Sequence, residues 1–351
     1  MPEASAMPAE LREELVAALD NFTIRSPVAF AFEDEPPVDV RTMQMGPGWG
    51  AAPARPGQDE LLIAALQATL YERCYARRTR GAPGAGQHAP AADPAFAERL
   101  RAANAGREYW DKGWAIQQFG PNGQAFVRKG DHERAAVPGA FISDGAPGMA
   151  PQIGTMVSIR VPHDTFDAQP GYFHAFGETL DELADHLMLT RVYFHCGPES
   201  AVSLVAELTG ALNRFQTPFQ LKTPAAPALY GRTDTAVLYV GARYFPIAAR
   251  IIGGCLNKIS LEPTVPLFTK RLWAGVGAAV DPGSGESFGT HRCRLVAEGI
   301  VDAWRQGAQD ASARIEAVAA RFAAAGFDLA RPWLGAASCD HFELPGAARL
   351  P

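Results

Sequence analysis

FQTPFQLKTPAAPALYGRTDTAVLYVG, residues 215–241, reads as two strands joined by a proline-rich turn. The second strand, TAVLYVG (235–241), is apolar throughout, which predicts a central place in a sheet. The first, PFQLKT, carries Lys222 near its end, and Arg232 and Asp234 open the second. Charged groups at the ends of buried strands must be paired or must face a cleft. On its own, this stretch therefore reads either as an Arg232–Asp234 brace beside an exposed lysine or as one wall of a site.

Working outward, RVYFHC (191–196) and TMVSIRVP (155–162) read as further strands, and WAIQQF and QAFVRK flank the hairpin signal Pro121-Asn122-Gly123. Thr179 and Glu182 form a capping box that predicts a helix over TLDELADHL. Val202, Val205, Leu208 and Leu212 give 199–215 a helical apolar face, and helices are also predicted at 246–258, 291–306 and 310–325, the last stopped by Gly326. Upstream, Leu11, Leu15 and Leu19 mark a helix over 8–20. Asp59 can cap a second, DELLIAALQATLYERCYARR, and 94–104 reads as a short third. The proline- and glycine-rich stretches around 46–57 and 80–93 read as mobile surface loops. The fold class expected is α+β: a central mixed or antiparallel sheet packed with helices, with a helical N-terminal part. We expect a helical N-terminal region over 1–110 and an α+β domain over 111–345, together one continuous globular unit.

Composition sets outer bounds. The chain has 351 residues, 47% hydrophobic and 20% charged, a globular composition whose core needs no metal or disulfide. A net charge of −6 does not draw the molecule to nucleic acid or to an acidic membrane. No apolar run approaches the roughly 20 residues of a spanning helix, and the polar, acidic N-terminus does not read as a signal peptide. Five scattered cysteines with no C-x-x-C pair read as reduced thiols, so a cytoplasmic location is expected. No histidine shows metal-ligand spacing, and no metal is expected. Five lysines stand against 27 arginines. Where arginine is so favoured, a lysine marks a place where an amine that can lose its proton has a use.

Familiar motifs are scarce. There is no G-x-x-x-x-G-K-[ST], and Gly275-Val276-Gly277 lacks the third glycine of a dinucleotide loop, so no nucleotide cofactor is expected. Gly285-Glu286-Ser287-Phe288-Gly289 matches the G-x-S-x-G of serine hydrolases. However, Asp281-Pro282-Gly283 breaks the chain where a strand should lead in, and partners would have to come from Asp328 and His341. A glycine-rich turn capping the following helix is the simpler reading. Lys270-Arg271 and the trio His291, Arg292 and Arg294 add cations, the latter at a helix start, where free N–H groups and the dipole favour an anion. His174 and His195 sit in aromatic, apolar surroundings, where most histidines are packed and hydrogen-bonded.

PFQLKTPAAPALYGRTDTAVLYV and VPLFTKRLWAGVGAAVDPGSGESFGTHRCRLVAEGI, with RVYFHC and RPWLGAASCD, resemble blocks of the HopA-type effector family, over roughly residues 100–345. That family is named for a secreted effector of a plant pathogen. Relatives stand beside kinase-like proteins in gene clusters for class V lanthipeptides and thioamitides, where the pair is associated with dehydrating serine and threonine. The resemblance implies a lyase that eliminates phosphate from a phosphorylated precursor peptide, working with a separate kinase and without a cofactor. A non-catalytic peptide- or kinase-binding protein is the alternative, and a serine hydrolase at Ser287 a more distant one. Elimination needs a base for the Cα proton, cations on the phosphate and a donor for the enolate. Lys222 is the candidate base. Arg232, Lys270 and Arg292 are candidate phosphate ligands, His174 or His195 a proton donor to the leaving group, and Tyr230 an enolate donor.

Overall fold

The computed structural model describes residues 7–42, 58–77, 91–130, 132–145, 148–180, 182, 185, 187–283, 285–308, 310–336 and 338–342. Its centre is a seven-stranded sheet in the order β14-β15-β11-β13-β12-β10-β9. The strands are β9 (Asp164–Thr165), β10 (Tyr172–Phe176), β11 (Leu189–Phe194), β12 (Gln220–Pro224), β13 (Ala236–Gly241), β14 (Lys270–Trp273) and β15 (Val276–Val280). Every pairing in it is antiparallel, and β13 lies in the middle, as its unbroken apolar run requires.

Register decides what faces what. His174 stands opposite Lys222, Lys222 opposite Val237, Arg191 opposite Tyr239 and Tyr193 opposite Val237. Because side chains alternate across a strand, Tyr172, His174, Lys222, Val237, Tyr239, Arg191 and Tyr193 share one face. Phe173, Ala175, Leu221, Leu238, Val192 and Phe194 share the other. That second face is buried under α4 (Pro198–Arg214) and α5 (Phe245–Cys255). The polar-aromatic face lies under α2 (Gln58–Thr69), its continuation Leu70–Tyr75, and α6 (Phe288–Arg305). Tyr193 meets Tyr75 edge-on, and its ring centre lies 6.3 Å from that of Phe288. Helix α7 (Ala311–Ala324) packs on α6, and Gly326 follows it at φ +80°, the left-handed stop that the sequence predicts.

The N-terminal part holds helices α1 (Ala9–Asp20), α2 and α3 (Pro94–Ala103). It also holds a small antiparallel sheet, β1 (Phe22–Ser26), β2 (Ala29–Phe32) and β3 (Val38–Asp39), which the sequence reading does not anticipate because runs this short carry no clear period. Its Phe22 and Phe30 join Leu15, Leu62 and Leu66 in the same buried cluster as the central sheet. A third sheet, β6-β5-β4-β8-β7, is built from β4 (Tyr109–Phe119), β5 (Ala125–Lys129), β6 (His132–Ala136), β7 (Phe141–Ser143) and β8 (Met156–Val161). It encloses its own cluster around Trp114, Ile116, Val127, Val157 and Ile159. The hairpin turn between β4 and β5 places Asn122 at φ 64°, the left-handed region that asparagine tolerates. The stretch 46–57, residues 80–90 of the second stretch, and residues 181, 183, 184 and 186 of the capping-box helix over TLDELADHL lie outside the described residues. No helix among the described residues is long and apolar enough to cross a membrane.

Candidate functional site

The polar-aromatic face of the central sheet does not close fully against α2 and α6. Between them lies a cleft of about 300 Å³, lined by Lys222, Arg191, Arg232 and Asp234 together with Tyr71, Tyr75, Tyr172, Tyr193 and Tyr239. Ser287, Gly289 and Thr290, at the start of α6, form part of the rim.

Lys222 is half-buried, with its Nζ 4.2 Å from the centre of the Tyr172 ring. It makes no ion pair with any described residue. Burial, then the guanidinium of Arg232 with a smaller push from Arg191, outweigh the pull of Asp234 and bring its pKa down to about 8. A substantial share of the amine is therefore neutral near physiological pH.

The two arginines are held differently from the lysine. Arg232 is 6% exposed. Its Nε donates to Asp234 Oδ1, and its Nη2 donates to Asp234 Oδ2 at 2.6 Å and to the Tyr71 hydroxyl at 2.8 Å. Burial opposes both charges, yet each sustains the other: Arg232 is raised well above its ordinary pKa and Asp234 lowered. Arg191 is braced in the same way by Asp281 and also donates to the carbonyl of Glu286 at 3.4 Å. In each fork the Nη1 has no partner among the described residues. The pairs thus fix two cations in place and leave each one N–H edge for a third group.

Residues 164–334, which hold the entire cleft-forming sheet, match the sequence model of the HopA1 effector protein family. That region is similar to the HopA1 effector protein family. Among solved structures, the chain is similar to the effector protein from Pseudomonas syringae pv. tomato strain DC3000. Identity there is 18%, with 76% of this chain and 89% of that one covered at a TM-score of 0.42. It is also similar to the effector protein from Pseudomonas syringae pv. syringae strain 61, at 16% identity, 76% and 88% coverage and a TM-score of 0.40. No curated protein matches the sequence.

Within the matched region, the fold brings only some of the sequence-predicted site residues together. Lys222 and Arg232 share the cleft. The rest do not line it. His174 is opposite Lys222, but its Nδ1 is bound to Gln220 Nε2 at 2.7 Å, and burial followed by the charge of Lys222 pushes its pKa down to about 4. At neutral pH it is therefore the uncharged imidazole, a weak acid for a departing phosphate. His195 is pinned by Thr264, with Nδ1 2.8 Å from its hydroxyl. Tyr230 donates to the Pro224 carbonyl at 3.0 Å and pairs with Thr223 at 2.7 Å, behind the sheet. Lys270 is paired with Asp340 at 3.0 Å.

Arg292 is fully buried, and its position corrects its expected role as a phosphate ligand. It donates to the carbonyls of Pro332 and Leu334 at 2.7 and 2.8 Å and lies against the Phe327 and Phe288 rings. There it ties the segment after α7 to α6. Ser287 is the N-cap of α6, its Oγ accepting from the Thr290 N–H at 3.1 Å. The triad partners considered for it are engaged elsewhere: His341 bonds Thr190 and Asp328 bonds Arg331. Among the described residues no cluster of His, Cys, Asp and Glu could hold a metal ion.

The sequence reading passes over Arg191 and Tyr71. Arg191 carries a legible signal: in RVYF it alternates with Tyr193, so a buried strand sets a charge and a phenol on one face. Tyr71 carries none, because it reads as one more residue of an amphipathic helix.

Proposed function

We propose that the cleft eliminates phosphate from phosphoserine or phosphothreonine in a peptide made and phosphorylated by other proteins, a kinase among them. The observation that carries this reading is Lys222, an amine in no ion pair with a described residue, partly neutral near pH 7–8, that lines one cleft with two pre-oriented guanidinium groups. In the step, the Lys222 lone pair takes the Cα proton. The C–H electron pair becomes the Cα=Cβ bond, and the Cβ–O pair departs with the phosphate. The free edges of Arg232 and Arg191 meet the charge that grows on the leaving group.

The test is incubation with a phosphoserine peptide followed by mass spectrometry. The wild type is expected to give dehydroalanine, and Lys222→Ala and Lys222→Arg to give none, because arginine holds the charge but does not release its proton. Elimination by Lys222→Arg at the parent rate would remove Lys222 as base. A second reading draws on the closed Arg232–Asp234 and Arg191–Asp281 pairs: a cleft that only binds a peptide or kinase would also keep its arginines satisfied. In that case the phosphopeptide binds and leaves unchanged.

A further inference from the structure

We infer that Tyr71 is the hydrogen-bond donor to the departing phosphate, an assignment that rests on the elimination reading above. Tyr71 stands on the widened turn Leu70–Tyr75 that continues α2, a π-helical turn of a kind common at functional sites. It lines the same cleft as Lys222 and Arg232. Its ring stacks on Tyr75, with centres 5.3 Å apart and planes 20° from parallel, and the Arg232 guanidinium lies 5.7 Å from its centre. The phenol is therefore fixed in position before any substrate arrives.

Among the described residues its hydroxyl is held tightly on one side only. Arg232 Nη2 donates to the oxygen at 2.8 Å, occupying an acceptor site. The phenolic proton has Asp234 Oδ2 as its acceptor at 3.4 Å, far beyond the 2.7–2.8 Å of a good O–H···O bond. Both carboxylate oxygens of Asp234 already take charged N–H donors from Arg232. The proton is thus weakly engaged and free to turn to a better acceptor in the cleft. Burial, first of all, holds the phenol far above its ordinary pKa, so it remains a donor across the neutral range. Tyr230 and Tyr172 fit this role less well. Tyr230 is committed to Pro224 and Thr223, and the face of Tyr172 lies under Lys222.

The chemistry closes without transfer of the phenolic proton. Lys222 takes the Cα proton, the Cβ–O bond breaks, and Tyr71 donates a hydrogen bond to the former bridging oxygen as its charge grows. The proton stays on Tyr71, and the phosphate leaves with a third negative charge, met by Arg232 and Arg191, until it takes a proton from water. A group that assists departure in this way matters only while the leaving group needs help.

The experiment compares wild type, Tyr71→Phe and Lys222→Ala on two peptides of one sequence, one with phosphoserine and one with β-chloroalanine at the reacting position. Tyr71→Phe keeps the ring and its stack and loses only the donor. It should lower kcat on the phosphopeptide by about 100-fold, the scale of one transition-state donor, with KM within about threefold. On the chloroalanine peptide, whose halide leaves unaided, it should match the wild type, while Lys222→Ala is inactive on both. Phosphate elimination by Tyr71→Phe at the wild-type rate would overturn the assignment. So would an equal loss on both peptides, which marks a merely structural role. A wild type inactive on both peptides would instead overturn the elimination reading, and the role of Tyr71 with it.

Discussion

Lys222 is where the fold does the most to change a side chain's chemistry. An ordinary lysine is almost wholly protonated at neutral pH, whereas burial and Arg232 bring this one to about 8. If it is the base, kcat/KM for a phosphopeptide should rise with pH and level off above about 8, since that ratio reports the free enzyme. The kcat profile should be displaced to higher pH, because a bound phosphate dianion favours the ammonium form. Stability should follow the same group. A folded pKa below the unfolded value means that the unfolded chain binds more protons between about 8 and the ordinary lysine value. Stability from this group therefore increases as pH rises through that window, and its cost is fully present below about 8. Lys222→Met should thus melt higher than wild type at pH 7, with the gap narrowing toward pH 10. A gap independent of pH would show that the amine is not held near 8. The sequence points to this residue because lysine is scarce and stands at a strand end. It misplaces Arg292, since a helix-opening arginine reads as an anion ligand until the carbonyls of Pro332 and Leu334, some forty residues on, are brought to it by the fold.

Among the elements, α6 and the turn Leu70–Tyr75 set the width of the cleft, and Gly289 sets how closely they meet. A Cβ built there would lie 2.3 Å from Cε1 of Tyr75 and 2.6 Å from its Cζ. The Tyr75 ring is itself buried, so it has little room to yield. Replacing glycine with alanine inside a helix ordinarily stabilises by roughly 0.5–1 kcal/mol. Overpacking of a filled site costs about 1–3 kcal/mol, so the clash wins and Gly289→Ala should melt below wild type. Gly254, near the end of α5, meets no atom within 4 Å, and Gly254→Ala should melt at or above wild type. Thermal denaturation of both variants checks the pair of signs, and a Gly289→Ala that melts higher would mean that the turn is loosely packed. The central strands and late helices were legible because period and capping act locally. The turn was not: a π-helical step adds one residue to a helical pattern without leaving a mark in it, and it is this step that carries Tyr71.

At the scale of the molecule, the cleft is a cationic site inside an anionic protein. The net charge of −6 repels anions at long range, but salt at about 0.1 M screens that field beyond about 10 Å. Any affinity for phosphate or sulfate must therefore come from groups in direct reach: Lys222 and the open edges of Arg191 and Arg232. A ligand that binds only the folded state stabilises it by RT ln(1 + [L]/Kd), about 1.4 kcal/mol at roughly ten times Kd. For a chain of this size that is about 2 °C in Tm. Sulfate should therefore raise the melting temperature of the wild type above that in sodium chloride of equal ionic strength. General salting-out by sulfate acts on the whole surface and must be separated from binding. The separation comes from two lysine variants measured side by side. Lys222→Gln removes the unpaired amine of the cleft, while Lys258→Gln removes an exposed lysine paired with Glu207 at 2.8 Å, outside the cleft lining. The excess stabilisation should vanish in the first and persist in the second. Equal sulfate protection in both variants would assign the effect to the surface and leave the cleft without affinity for the anion.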